Sequence, residues 1–331
     1  CCNTLLAEQV GMLGRYTEAF FPELVYVRPQ GQIEKRDSLE GSAFIDFPVD
    51  QTMIYPDYRR NTAELEKIQS SIDSVRNDVD ITITSVWLKG YASPEGSYAH
   101  NKELAIGRTA ALKRYIQQLY RFEGDVITTD YEPEDWAGLR YYAERSNLAH
   151  RAEIVTLIDG NLEPDAREWK IKRDYPMEYS FLLQNCYPAL RHTDYRIAYT
   201  IRSYSDVEEI KRIMCERPQK LDLNEFYLAA QEYEPGTDEF TEVFETAVRM
   251  FPDDTIANLN AANAAMRRGD LTSAKRYLAK ADDSPEAVYA RGALAIRQKD
   301  YDSARRYLNE AKSLGLEQAG ITLEQLEKGR R

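Results

Sequence analysis

The chain has 331 residues, of which 43% are hydrophobic and 30% are charged, and its formal net charge is −12. This length provides for two or three domains with their own cores, and the composition is that of a folded globular protein. The acidic balance argues against nucleic-acid binding, because no basic stripe is available to displace counterions from phosphates. No apolar run approaches the roughly 18 residues that a membrane-spanning helix needs.

Four cysteines bear on compartment and processing. The chain begins with Cys1 and Cys2 rather than with Met. Two interpretations compete: a bacterial lipoprotein that is lipidated at Cys1 after its signal peptide is removed, and a chain cropped at this point by accident. Cys186 and Cys215 have apolar neighbours and a separation that matches no metal motif. We therefore expect buried thiols, with a disulfide as the alternative in an oxidising compartment.

The patterning predicts three parts. Residues 1–40 are weakly patterned, with short strands at 23–27 and 32–36, and we interpret them as an N-terminal segment remaining from an upstream domain. Residues 41–205 are predicted to form a domain of strands and helices. Residues 206–331 are predicted to form helical repeats.

Strands and helices alternate after residue 42. The predicted elements are, in chain order, a strand at 43–49, a helix with Asn61 or Thr62 at its N-cap, a strand at 81–89, a helix at 98–120 and a strand at 126–131. The first helix is expected to bury the apolar residues that recur every three or four positions, Leu65, Ile68, Ile72 and Val75. Two consecutive β-α-β crossovers predict neighbouring parallel strands with helices on one face.

The remainder of this domain departs from that alternation. Short helices are predicted at residues 134–145, 148–159, 164–171 and 178–185. The stretch at 192–204 then alternates apolar with polar residues, which predicts a final strand that closes the domain.

The last third repeats itself. AKRYL at residues 274–278 corresponds to ARRYL thirty residues later, and GDL and KDY precede these stretches at the same offset. Residues 240–252 match with an offset of 34, and a closing helix is predicted at 316–328. Helical pairs with small residues at fixed positions are typical of tetratricopeptide-like repeats, which bury their helices by stacking.

The stretch GYASPEGS at residues 90–97 and the helix after it carry the most specific signal. A strand ending in Gly90, a turn containing Gly96, and a helix with Asn101, Leu104 and Arg108 resemble the OmpA-like peptidoglycan-associated domain. The resemblance covers residues 42–204 and is nearest to the OmpA-like envelope proteins of Bacteroidota. It implies an α+β fold: an OmpA-like βαβαβ sandwich with a helical insert, followed by an all-α tetratricopeptide-like solenoid.

In that family a loop Asp and the helix Arg clasp the carboxylate and the amine of diaminopimelate in the cell-wall peptide. The resemblance assigns the Arg to Arg108, since an arginine fork suits a carboxylate. Ser93 stands where the family has its Asp, and Glu95 is the nearest acid that could replace it. The candidate ligand-binding residues are therefore Arg108, Ser93, Asn101, Glu95 and Leu104.

Each of these residues also has a purely structural interpretation. Arg108 could pair with Glu103 or Glu95. Asn101 could be a first-turn residue that caps its own loop. Ser93 could be the N-cap of the helix, with Pro94 at the first helical position.

The sequence thus predicts a non-enzymatic protein of the cell envelope, in the periplasm or at the outer membrane. Its expected partners are peptidoglycan, bound by the OmpA-like domain, and a protein bound by the repeats; nucleic acid is not expected. Membrane contact is expected only through a lipid anchor at Cys1. Neither a cofactor nor a metal is expected. The alternative is a structural adaptor whose OmpA-like domain has lost its ligand and which binds only proteins.

Overall fold

The computed structural model describes residues 20–32, 34–48, 51–122 and 124–328. Within these residues the chain forms fourteen α-helices and one four-stranded mixed sheet. Cys1 and Cys2, and with them the predicted lipidation site, lie outside the described residues.

The chain divides into two compact units. Glu34–Arg202 form one, here called the sheet unit; the residues before Glu34 join Ser203–Arg331 in the other, here called the helical unit. These boundaries differ from the predicted divisions after residues 40 and 205. Residues 35–40 belong to the sheet, whereas residues 20–32 pack with the helices.

The sheet contains β1 (Lys35–Ala43), β2 (Ile81–Tyr91), β3 (Ile127–Glu132) and β4 (Thr193–Ile201), in the order β1-β4-β2-β3. β2 and β3 are parallel, as predicted, and β4 runs antiparallel to both of its neighbours, β1 and β2. The first crossover therefore does not join neighbouring strands, because β4 lies between them.

The predicted strand at 43–49 is wrong, because β1 ends at Ala43. β1 is an edge strand with mostly exposed or half-buried polar residues, so it lacks the apolar alternation that marks a strand in sequence. The apolar residues just after it are held by side chains instead. Phe44 N–H donates to Glu64, and Asp46 N–H donates to Asn61.

Helices α1 (Asn61–Arg76) and α2 (Tyr98–Tyr120) pack against the sheet. The predicted N-cap of α1 is wrong: Arg60 occupies that position without a side-chain cap, and the buried Asn61 amide binds the backbone of Asp46 and Tyr55. The predicted buried face of α1 is confirmed at all four positions, Leu65, Ile68, Ile72 and Val75.

The helical insert follows β3 as predicted. It comprises α3 (Trp136–Arg145), α4 (Arg151–Ile158), α5 (Pro164–Asp174) and α6 (Pro176–Asn185), and ends in a 3-10 turn at Tyr187–Leu190. These helices share one hydrophobic cluster, which includes Cys186. Burial raises the pKa of the Cys186 thiol. Cys215 is exposed rather than buried, and both thiols are free.

The helical unit contains eight α-helices among its described residues. They are α7 (Val207–Glu216), α8 (Leu223–Ala230), α9 (Asp238–Met250), α10 (Thr255–Arg268), α11 (Leu271–Leu278), α12 (Pro285–Arg297), α13 (Tyr301–Ser313) and α14 (Glu317–Lys328). The pairs α10–α11 and α12–α13 begin thirty residues apart, at the predicted offset. Asp270 and Asp300 cap the second helix of each pair by accepting from a backbone N–H.

Residues 20–32 form neither a helix nor a strand, so the predicted strand at 23–27 is absent. They lie against the helices of this unit, and their hydrogen bonds go to side chains rather than to a neighbouring strand. None of the helices described here is long and apolar enough to cross a membrane.

Candidate functional site

The sheet unit contains a cavity of about 840 Å³ beyond the end of β2. Its walls come from the segment after β1, the start of α1, the loop between β2 and α2, one face of α2, and the end of the insert. All five candidate residues from the sequence line this cavity: Ser93, Glu95, Asn101, Leu104 and Arg108.

The backbone between β2 and α2 brings these residues together. A Cβ at Gly90 would lie 1.8 Å from Thr109 Oγ1, so α2 packs on β2 at a distance that only glycine permits. Gly96 has a φ of 94°, which turns the chain before the helix. Ser97, rather than Ser93, is the N-cap of α2, with its side chain accepting from His100 N–H at 3.4 Å. The predicted cap at Ser93 is therefore wrong.

Arg108 lies in the third turn of α2, on the face that lines the cavity. Its side chain is half-buried. Its Nε donates to the Gln51 carbonyl at 3.4 Å, and its guanidinium carbon lies 5.0 Å from the centre of the Phe47 ring. The ring and the carbonyl hold the guanidinium at the cavity wall. Glu95, one of its two expected ion-pair partners, pairs with Arg191 instead.

Ser93 and Glu95 are both held by Arg191. The Arg191 Nε donates to the buried Ser93 Oγ at 3.0 Å, and its Nη2 donates to the Glu95 carboxylate. A hydroxyl held by a guanidinium therefore stands where the family resemblance places a carboxylate. The sequence analysis missed Arg191, which follows the 3-10 turn at Tyr187–Leu190 and belongs to no motif.

Asn101 ties α2 to the loop after β3. Its buried amide Nδ2 donates to Glu134 Oε1 at 2.8 Å, and the Trp136 indole donates to Oε2 of the same carboxylate at 2.8 Å. Burial raises the pKa of Glu134 although both hydrogen bonds favour its charged form. The amide of Asn101 thus binds a second loop rather than capping its own. Leu104 is half-buried and forms an apolar part of the cavity wall.

The charged residues of the cavity wall are mainly basic. Among the residues that the structure describes, five Arg or Lys side chains line it, against three carboxylates. Each carboxylate has a cationic partner: Asp46 pairs with Arg59, Glu64 with Lys67, and Glu95 with Arg191. Basic side chains therefore outnumber acidic ones among the described lining residues. In a chain with a net charge of −12, such a local excess favours an anionic ligand group.

Glu64 remains ionised at this wall. Burial acts to raise its pKa, but hydrogen bonds from Lys67 and from Phe44 N–H outweigh burial and hold the pKa below its usual 4.5. The Lys67 Nζ to Glu64 Oε2 distance is 2.8 Å. Through its hydrogen bond from Phe44 N–H, Glu64 anchors the segment after β1 to α1.

Among the described residues, no three His, Cys, Asp or Glu side chains lie close enough together to hold a metal ion. The chain matches no protein-family model, and no curated protein matches it in sequence.

Proposed function

We propose that the chain is a non-enzymatic cell-envelope protein with two binding units. In this proposal the sheet unit is an OmpA-like domain that binds a peptidoglycan peptide of the diaminopimelate type. The helical unit is a tetratricopeptide-like module for protein contacts. An envelope location follows from the same resemblance.

One observation carries the proposal: Arg108, Asn101 and Leu104, chosen from motif spacing alone, line the same cavity of about 840 Å³. This volume falls in the range of small-ligand sites. Arg108 supplies a planar guanidinium that binds a carboxylate through two hydrogen bonds. The larger number of basic than acidic side chains among the described lining residues supports a ligand with an accessible carboxylate.

Glu95 is the cavity's carboxylate nearest to the motif turn, and it has the role of binding the ligand's amine. Its side chain is exposed, and a carboxylate has room for acceptor bonds beyond the one it makes with Arg191. Arg191 keeps the Glu95 carboxylate near the turn, while Ser93 fixes the position of Arg191.

The second candidate function is a structural adaptor without a cell-wall ligand. One observation favours it: Ser93 is 4% exposed and already accepts a hydrogen bond from Arg191. The loop position that contributes an acid in the family thus has no carboxylate. An adaptor would use the cavity wall only to hold the insert against the rest of the sheet unit.

Retention of the full chain on purified peptidoglycan sacculi separates the two candidates. We expect wild-type retention on diaminopimelate-type sacculi, loss in Arg108→Ala, and no loss in Arg114→Ala, an exposed arginine on the same helix. Sacculi with lysine in place of diaminopimelate should retain less protein. Absence of wild-type retention, or retention that is equal in Arg108→Ala, would favour the adaptor.

A further inference from the structure

Residues 20–32, here called the strap, bind the helical unit in the way an extended peptide binds a receptor. Val27 N–H donates to Asn260 Oδ1 at 2.9 Å, and the Val27 carbonyl accepts from Asn260 Nδ2 at 2.7 Å. The Val25 carbonyl accepts from Asn263 Nδ2 at 2.7 Å. The two carbonyls that face α10 are thus two residues apart. A spacing of two residues is the period of an extended backbone.

Two aromatic side chains of the strap contact different side chains of the same unit. Tyr26 lies edge-on to Phe240, with ring centres 5.1 Å apart, and stacks on Phe244 at 5.4 Å. Phe21 lies between two guanidinium groups, with Arg267 at 5.1 Å and Arg297 at 4.6 Å from its ring centre. Such aromatic and cation–π contacts are the usual anchors of a bound peptide.

The strap also spans the helices from one end of the unit to the other. Phe20 and Val25 pack against the cluster of the last helices, α12 to α14, whereas Leu24 and Val27 pack against the cluster of α10, α11 and α12. At its other end, Arg28 Nε donates to Asn224 Oδ1 of α8 at 2.9 Å. The strap therefore runs opposite to the chain order of the helices.

Two buried polar atoms where the strap meets the helices lack hydrogen-bond partners. Among the described residues, the buried Tyr26 hydroxyl and Asn263 Oδ1 have no hydrogen-bond partner. A buried polar group without a partner weakens the complex that contains it. Asn260 hydrogen-bonds the strap through both its amide oxygen and its amide nitrogen, whereas Asn263 uses only its nitrogen. The side chains of α10 could therefore form one more hydrogen bond to a peptide backbone than they form with the strap.

We propose that these helices form a peptide-binding groove that the strap occupies in cis, and that an extended segment of another protein can take its place. The groove is defined by Phe240, Phe244, Asn260, Asn263 and Tyr289. The hydroxyl of Tyr289 donates to the Glu23 carbonyl of the strap at 2.5 Å. The segment that fits has the chemistry of the strap: an aromatic residue for the two arginines, then an aromatic residue flanked by β-branched ones. The strap regulates access, because a partner binds only when the strap leaves.

This proposal is independent of the cell-wall ligand, since it concerns only the helical unit. Its test uses the full chain and a fluorescent peptide of residues 20–32, FFPELVYVRPQGQ. Peptide binding is measured by fluorescence anisotropy against wild type, a strap-weakened variant with Phe21→Ala and Tyr26→Ala, and a control with Glu23→Ala, whose side chain is exposed. A peptide of scrambled sequence controls for non-specific binding.

We expect the strap-weakened variant to bind the peptide at least tenfold more tightly than wild type or the Glu23→Ala control. Adding Asn260→Ala to the strap-weakened variant should reverse this gain. Phe21→Ala alone provides a milder second variant if the double substitution impairs folding, and it should show an intermediate gain. Circular dichroism verifies that each variant retains its helices.

Three results would overturn the proposal. If both strap variants remain helical and neither binds the peptide, the strap is only a structural part of the unit. If wild type binds as tightly as the variants, the strap does not regulate the groove. If light scattering shows that the strap variants pair with each other and thereby exclude the peptide, the occupant is a second copy of this chain.

Discussion

The cavity of the sheet unit and the groove of the helical unit differ in the kind of polar side chain that lines them. In the cavity, charged side chains pair with one another, and basic side chains outnumber acidic ones among the described lining residues. In the groove, uncharged amides bind the backbone of the strap, and aromatic rings and guanidinium groups hold its side chains. The first arrangement suits a small anionic group, and the second suits an extended polypeptide.

The two sites also differ in what maintains their shape. The cavity depends on the close approach of α2 to β2 at Gly90, which sets the position of Arg108. The groove depends on asparagine side chains of α10 and on the strap that they bind. Substitutions should therefore separate the two sites, in the following order of expected effect.

The largest effect is expected from Gly90→Ala. The added Cβ would lie 1.8 Å from Thr109 Oγ1, so α2 must shift, and we expect unfolding to become easier by about 3 kcal/mol. Urea unfolding measures this change. In a Thr109→Ala background the same substitution should cost clearly less. An equal cost in both backgrounds would show that the close helix–strand contact does not shape the cavity.

Asn260→Ala should affect the groove and leave the cavity intact. It leaves the Val27 N–H and carbonyl without their partners, which we expect to cost about 2 kcal/mol. Hydrogen exchange at Val27 should accelerate, while exchange in β2 stays unchanged. Asn309→Ala, at an exposed position in the same unit, is the control. Unchanged exchange at Val27 would contradict the role of Asn260 in holding the strap.

Glu64→Gln should have a pH-dependent effect in the sheet unit. Because the pKa of Glu64 lies below 4.5 in the folded protein, the unfolded chain binds more protons between the two pKa values. The ionised Glu64 carboxylate therefore contributes its full stabilisation of the folded protein above pH 4.5. This contribution is lost as the pH falls through the pKa of Glu64 in the folded protein.

We expect the free energy of unfolding of wild type to exceed that of Glu64→Gln by about 1.5 kcal/mol at pH 7. This difference should shrink below pH 4.5. Urea unfolding at pH 7, 5, 4 and 3 measures it. A difference that grows as the pH falls would contradict the assignment of Glu64 as a paired carboxylate.

Asp270→Ala should give the smallest effect, in the helical unit. The substitution removes the carboxylate that caps α11 by accepting from Ser273 N–H at 3.0 Å. It should lower the free energy of unfolding by about 1 kcal/mol at pH 7. Hydrogen bonds from Ser273 lower the pKa of Asp270 below 3.8, so the cost should disappear only in stronger acid. Thermal unfolding at pH 7 and pH 2.5 measures both. Asp300→Ala, thirty residues later, should act in the same direction.

Sequence reasoning succeeded where the determining contacts are local. The insert helices, α2 and the thirty-residue spacing of helix pairs follow from apolar periodicity and capping residues within each segment. The motif residues from Ser93 to Arg108 converge on one cavity because a strand, a short turn and a helix hold them within sixteen positions.

It failed where partners are distant in the chain. β1 is polar, and its pairing with β4 joins residues that are at least 150 positions apart. Arg191 contacts Ser93 across 98 positions, and Val27 meets Asn260 across 233. The buried asparagines of the stretch NLNAANAA were the one available signal for the groove, since asparagine is a poor helix former that needs a partner when buried.

Calorimetric titration of the full chain with a soluble, diaminopimelate-containing stem peptide tests the cell-wall proposal most directly. The account predicts saturable binding by wild type and by Arg114→Ala, and affinity at least tenfold weaker in Arg108→Ala. Absence of binding by wild type, or equal affinity in Arg108→Ala, would contradict the assignment of Arg108 and its cavity as the peptide site.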